Sequence, residues 1–409
     1  MKTAFGEEAE AAGRAFRTAL AGVAAAGQGG TEPAAMVDRF GIDATLAWKL
    51  SRQLSAGSGV DVFRFMPGAA ALRGLVGRAV DRGVPREATA ALVVAVDAYE
   101  QLVRRHAGSR RAFDVLVAGH LAEGGGGDGG ESRLELDLRR SGFEAGAFVQ
   151  GIKAATQFAV TILWPDGDRI SLGVIRGALG LQRLRVHAMW RVSHTARITG
   201  IHTASPGTSS SVAMAPIDQP PEGKGATGLP LMHGFSSVGD EVFRQTETSD
   251  ELIEYELAPG EVGDSSAMDL IFGERIDRAR PRHAGEAGLR EFTHMGGIKT
   301  PCERFVYDAL VHRDLFERSE PVARAFSTVY ARSTTDTRDA DELPLRSPVE
   351  PRGAGLGGLD LPGCPRHIPL LRHAMARLGL DEGAFNASRL MIQYPPAPMT
   401  LRMVWLRGS

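Results

Sequence analysis

The chain has 409 residues, a hydrophobic share of 43%, a charged share of 23% and a net charge of −2. That length suffices for two or three domains with their own cores, and the lack of any run of about 18 apolar residues argues against a membrane-spanning helix. Two cysteines, Cys302 and Cys364, make neither a disulfide framework nor a four-cysteine zinc site.

Arginines number 42 and lysines 5. Beside so much Ala and Gly, this ratio reads as a GC-rich genome rather than as a nucleic-acid footprint. The charge is uneven: residues 1–123 carry 15 basic and 13 acidic groups, residues 131–200 carry 10 and 6, and residues 201–300 carry 8 and 16. A mildly basic front half and an acidic centre suit DNA contact at the front only. The first residues, MKTAFGEEAEAAGRAF, hold three glutamates and no unbroken apolar core. They do not read as a signal peptide, so a cytoplasmic location is expected.

In chain order, residues 5–26 place Phe5, Ala9, Ala12, Phe16, Leu20 and Val23 at helical spacing. Thr31 and Pro33 then open a second helix as cap and first-turn proline, and Asp43 caps a third that runs from Ala44 to Leu54. Residues 60–66, VDVFRFM, alternate like a short strand, and helical patterns fill 69–82, 86–107 and 109–122. The glycine run 124–130 reads as a linker, because no strand precedes it and no Gly-Lys-Ser/Thr closes it. A long helix is expected over 131–158, then a buried strand over 159–164 ended by Pro165-Asp166-Gly167-Asp168. Residues 170–192 read as a core element with solvated arginines at 176, 183, 185 and 191. The Ser-, Thr-, Gly- and Pro-rich stretch 203–230 reads as a long loop. Strands are expected at 252–257 and 268–276, strand or helix at 305–316, low order at 334–363 and a helix at 366–379. Two strands around a proline turn close the chain.

Residues 32–55, EPAAMVDRFGIDATLAWKLSRQLS, carry the most specific signal. Two short helical patterns flank Gly41-Ile42-Asp43, with apolar residues at Met36, Phe40, Ile42, Ala47 and Leu50. This spacing resembles the helix-turn-helix of DNA-binding transcriptional regulators, with Val37 where such turns carry a small residue four positions before the glycine. The resemblance covers residues 5–57. It implies that the second helix enters the major groove of double-stranded DNA. By the same token, Thr45, Trp48, Lys49 and Arg52 are the positions that reach it. The helical spacing also leaves Gln53 facing outward, where its amide would pair with adenine.

Enzyme motifs are fragmentary. Val311-His312-Arg313-Asp314-Leu315 matches four letters of a kinase catalytic loop, but position 319 is Ser and no Asp-Phe-Gly follows. Cys302 with His294 and His312 would make a thiol–imidazole site, and Cys364, His367 and His373 a metal site. Both lack the further partner at fixed spacing that such chemistry needs. A hydrolase or transferase with its site around His294, Cys302 and His312 is the alternative to DNA binding, and a scaffold protein a third.

The expected architecture is α+β: an all-α N-terminal helix-turn-helix region followed by a mixed α/β C-terminal region. The expected pieces are a DNA-binding domain at 1–57, a helical extension for dimerisation at 58–123 and the linker at 124–130. A helix-plus-strands segment at 131–200, a flexible connection at 201–230 and a mixed domain at 231–409 follow. No cofactor or metal is expected. The expected partners are double-stranded DNA, a second copy of the chain, and a small-molecule or protein effector for the C-terminal half.

Overall fold

The computed structural model describes residues 4–28, 30–123, 133–194, 197–202, 209–218, 229–248, 253–282, 291–316, 320–329, 337–345 and 348–406. The architecture is α+β, and the chain forms two compact units, Met1–Leu138 and Arg139–Ser409. The glycine run expected as a linker lies outside the described residues.

The first unit is helical: α1 (Ala4–Ala26), α2 (Pro33–Phe40), α3 (Ala44–Leu54), α4 (Ala69–Asp81), α5 (Arg86–His106) and α6 (Arg110–Glu123). Its helices bury apolar stripes into one core that runs from Phe16 and Leu20 through Met36, Phe40 and Leu50 to Leu92, Val96 and Phe113. Phe63 stacks on Tyr99 at 5.8 Å between ring centroids, and Phe113 meets both rings edge-on. Polar ties follow the same route. Glu10 accepts the Val60 N–H at 3.0 Å, His106 Nε2 lies 2.9 Å from Glu8, and Arg110 donates to the Met66 carbonyl and to the Tyr99 hydroxyl, each at 2.7 Å. The segments expected as separate pieces, 1–57 and 58–123, therefore share a single core. Residues 60–66, expected as a strand, form a 3-10 helix over Val60–Phe65. Val62 and Phe63 are both buried, and adjacent residues cannot both face inward from a strand. An Arg64–Asp61 pair three residues apart, at 3.0 Å, closes the turn.

Helix α7 (Arg133–Gln150) ends sooner than the expected helix over 131–158. Gly151 at φ 70° returns its N–H to the Ala147 carbonyl at 2.8 Å, a left-handed cap that only glycine adopts without strain.

The second unit is built on an eight-stranded sheet. Its strands are β1 (Ile152–Asp166), β2 (Arg169–Arg183), β4 (Arg197–His202), β5 (Ser209–Pro216), β8 (Met268–Pro281), β10 (Cys302–His312), β12 (Glu350–Ala354) and β13 (Phe385–Gln393). Their order is β12-β13-β10-β1-β2-β8-β5-β4. β1 runs parallel to β10 and antiparallel to β2. β5 falls within the stretch expected as a loop; pairing of Met214–Pro216 with β8 supplies the hydrogen bonds that make it a strand.

Side chains alternate between the two faces of this sheet. One face, with Val160, Ile162, Ile175, Val306, Leu310 and Ala387, packs under α8 (His367–Leu378) through Leu370, Leu371, Ala374 and Met375. The other, with Ala159, Leu163, Leu172, Phe272, Tyr307 and Leu390, is covered by two small sheets. One orders β11 (Val322–Ser327), β14 (Met399–Leu406) and β9 (Glu291–Ile298), with β14 central. The other orders β3 (Arg191–His194), β7 (Ile253–Leu257) and β6 (Phe243–Thr248), with β7 central. Arginines 176, 183, 185 and 191 share no face. Arg183 is buried in β2, Arg185 donates to the Val149 carbonyl, and Arg191 pairs with Glu256 at 2.7 Å.

Candidate functional site

Helices α2 and α3 and their turn are held by named contacts. Pro33 sits in the first turn of α2, where its missing N–H costs nothing. Gly41 ends that helix at φ 62°, its N–H bonded to the Val37 carbonyl at 2.8 Å. The Arg82 guanidinium donates to the carbonyls of Asp38 and Arg39 at 2.6 and 3.0 Å, satisfying the last turn of α2. Asp43 caps α3 by accepting the Leu46 N–H at 2.8 Å. Met36, Phe40, Ile42, Leu46, Ala47 and Leu50 are all buried.

The outer face of α3 presents Thr45, Trp48 and Arg52, with Lys49 half-buried beside them. Trp48 is 39% exposed. Its ring stands edge-on to Phe65 at 5.5 Å, and the Arg52 guanidinium lies over it at 5.6 Å. Among the described residues, neither Lys49 nor Arg52 has a carboxylate within ion-pair distance. Gln53 does not face outward as expected. It is wholly buried, and its amide donates to the Val62 carbonyl at 3.3 Å. Position 53 falls seven residues after Leu46 and three after Leu50, on the stripe that packs against the 3-10 turn. A base edge is out of its reach.

In the second unit the expected enzyme residues do not converge. His294 Nδ1 lies 2.7 Å from the Tyr307 hydroxyl and 3.1 Å from Thr161 Oγ1. Cys302 stands five residues before Tyr307 on β10 and His312 five after it. At a rise of about 3.3 Å per residue, each is roughly 16 Å away along the strand. Burial pushes the Cys302 thiol up to about 12, so it carries no thiolate at neutral pH. His312 accepts the Asp314 N–H at 3.2 Å. The Cys364, His367 and His373 set, not expected to bind metal, is split as well: His367 Nε2 pairs with Asp308 and His373 Nε2 with Asp218, each at 2.8 Å. No group of three or more metal-ligating side chains occurs among the described residues.

Two polar constellations escaped the sequence analysis. Asp308 on β10 faces Arg389 on β13 in register. The guanidinium grips both carboxylate oxygens, at 2.6 and 2.8 Å, and donates to the carbonyls of Asp360 and Leu359 at 2.6 and 2.9 Å. His367 completes this buried trio under α8. The available signal was a charge inside each apolar strand, FVYDALV and SRLMI. The second constellation is Thr161, His294 and Tyr307, with Arg176, Glu274 and Arg280 nearby. The unit also carries a groove of about 910 Å³, lined by His187, Trp190, Arg244, Leu257, Lys299 and Met399 among others.

Comparison with protein-family models, with curated proteins and with solved structures gives no match for this chain. No helix among the described residues is long and apolar enough to cross a membrane.

Proposed function

We propose that this protein is a DNA-binding transcriptional regulator that reads double-stranded DNA with α3, acts as a homodimer in the cytoplasm, and uses its second unit to sense a small molecule or a protein partner. The observation that carries this reading is the outer face of α3. A capped, glycine-turned helix pair presents Thr45 and Arg52 to solvent with Lys49 half-buried beside them, and neither cation has a carboxylate partner among the described residues. Lys49 and Arg52 supply phosphate or guanine contacts, and Thr45 contacts a phosphate or a thymine methyl. Trp48 acts as a support that holds the Arg52 guanidinium in place before DNA arrives.

The test is fluorescence anisotropy on a random-sequence duplex across a salt series, comparing wild type with Lys49→Ala/Arg52→Ala. Two lost phosphate contacts shrink the slope of log K against log salt by about 1.8. Affinity falls by at least about tenfold, one charge-assisted contact being enough for that. No binding at low salt, or binding and slope unaltered in the double variant, overturns the assignment of α3.

A further inference from the structure

The groove of about 910 Å³ in the second unit is lined from both small sheets. Arg191, Arg244, Glu254 and Glu256 come to it from the sheet of β3, β7 and β6, and Lys299 and Thr300 from the turn after β9. All of its lining residues lie within Arg139–Ser409. Its volume is that of a site for a small organic molecule. Its walls include Met189, Pro259 and Pro398, all exposed, and the half-buried Trp190. Trp190 is fixed in place: its Nε1 donates to Thr300 Oγ1 at 3.0 Å, and its ring stacks on Phe243 at 6.1 Å between centroids. Met189 is 68% exposed, although its backbone N–H is tied to the Gln150 carbonyl at 2.9 Å. An apolar side chain left in water on a tethered backbone gains by being covered.

Charge narrows the class of molecule. Sheet register sets Arg191 and Arg244 on either side of Glu256. Residues directly opposite one another share a face, so the row reads plus, minus, plus. Arg191 takes up the carboxylates, Glu256 at 2.7 Å and Glu254 at 3.9 Å. Arg244 and Lys299 have no carboxylate within ion-pair distance among the described residues. Three cations and two carboxylates leave one positive charge unmatched at the groove. The two carboxylates disfavour a polyanion such as a nucleic acid. One acid group on a flat apolar body answers both the surplus charge and the walls.

We propose that this groove binds a small organic monoanion, its acid group drawn to the unpaired Lys299 and Arg244 and its apolar body lying against Trp190 and Met189. The proposal rests on the reading of the second unit as the sensing part and names the class of ligand sensed.

The experiment is fluorescence titration of the full chain, without DNA, with two compounds. One is anilinonaphthalene sulfonate, a flat aromatic monoanion; the other is phenylnaphthylamine, the same body without the sulfonate. The sulfonate is expected to bind saturably at one site per chain, and the uncharged compound about tenfold more weakly, as loss of a charge-assisted contact dictates. Lys299→Gln/Arg244→Gln is expected to weaken the sulfonate by about tenfold or more and to leave the uncharged compound nearly unaltered. Met189→Glu, which sets a carboxylate on the wall, is expected to weaken the sulfonate more than the uncharged compound. Arg275→Gln/Arg372→Gln removes two exposed cations outside the groove and is expected to change nothing. Every altered side chain is exposed, so the fold is kept. No saturable binding, equal affinity for the two compounds, or sulfonate affinity unaltered by Lys299→Gln/Arg244→Gln overturns the site. Equal weakening by Arg275→Gln/Arg372→Gln assigns the effect to overall charge and overturns it as well. Because no DNA is present, failure here leaves the assignment of α3 to its own test.

Discussion

Replacing Asp308 by Asn tests how much the second unit depends on its buried charges. The Asp308 side chain is 1% exposed, that of Arg389 7% and that of His367 0%. The carboxylate takes three short contacts, two from the guanidinium and one from the imidazole. Asparagine keeps the volume but removes the charge, and turns an NH₂ toward one of those donors. Arg389 is then a buried cation with no anion, facing the Asp360 and Leu359 carbonyls and at most one amide oxygen. Removing one partner of a buried pair costs about 3–5 kcal/mol. For a unit of this size, that lowers the melting temperature by about 6–20 °C. Calorimetry or urea unfolding of the full chain reads the loss. The double variant Asp308→Leu/Arg389→Met removes both charges together, so it is expected to lose less than the two single changes added. A loss below about 1 kcal/mol in Asp308→Asn would show that water reaches these groups and would refute the reasoning.

Two other outcomes follow from the same physical accounting. His294 is held at about 4 in the folded protein against an ordinary value near 6.5. The unfolded chain therefore takes up a proton first as pH falls. The contribution is complete above about pH 6.5 and is lost on the way to pH 4, up to about 3 kcal/mol. His294→Gln should flatten that part of the pH–stability curve from urea titrations, and an unchanged slope would contradict it. Gly41→Ala places a Cβ at φ 62° and 2.5 Å from Arg82 Nη2. It should cost about 1–2 kcal/mol through the left-handed backbone and the displaced guanidinium, read as a lower melting point of the first unit. No change would mean that Arg82 does not secure the α2–α3 turn.

The first unit was largely legible because its helices announce themselves by spacing. Pro33, Gly41 and Asp43 do in the structure what their residue types favour at a helix start, a helix end and an N-cap. The segment Val60–Phe65 was not, since alternation over so few residues fits a strand and a 3-10 turn alike. Gln53 went wrong for a related reason: a polar residue on a helix suggests solvent, yet its phase relative to Leu46 and Leu50 puts it inside. In the second unit, β1 showed only from residue 159 on, its first half having been read as helix, β10 showed as an apolar run that fitted strand or helix, and β13 showed at its end. What did not show was which strand lies beside which. Asp308 and Arg389 meet only because β10 pairs with β13, and His294 meets Tyr307 and Thr161 only because β9 crosses β10 and β1. Long-range pairing is the part of a fold that local pattern does not encode, and both buried polar clusters depend on it.

The parallel pairing of β1 with β10 sets Ala154 against Cys302, almost 150 residues away in the chain. β13 lies between β12 and β10, and β14 lies between β11 and β9. The two strands latest in sequence within this unit are thus interior members of their sheets. During synthesis the sheet unit cannot complete its pairing until β13 and β14 are made, while the helical unit has all of its helices far earlier. For much of its production the chain is a finished helical unit trailing an unfinished sheet whose apolar strands are exposed. A chain cut short before β14 is made is the form most prone to aggregate.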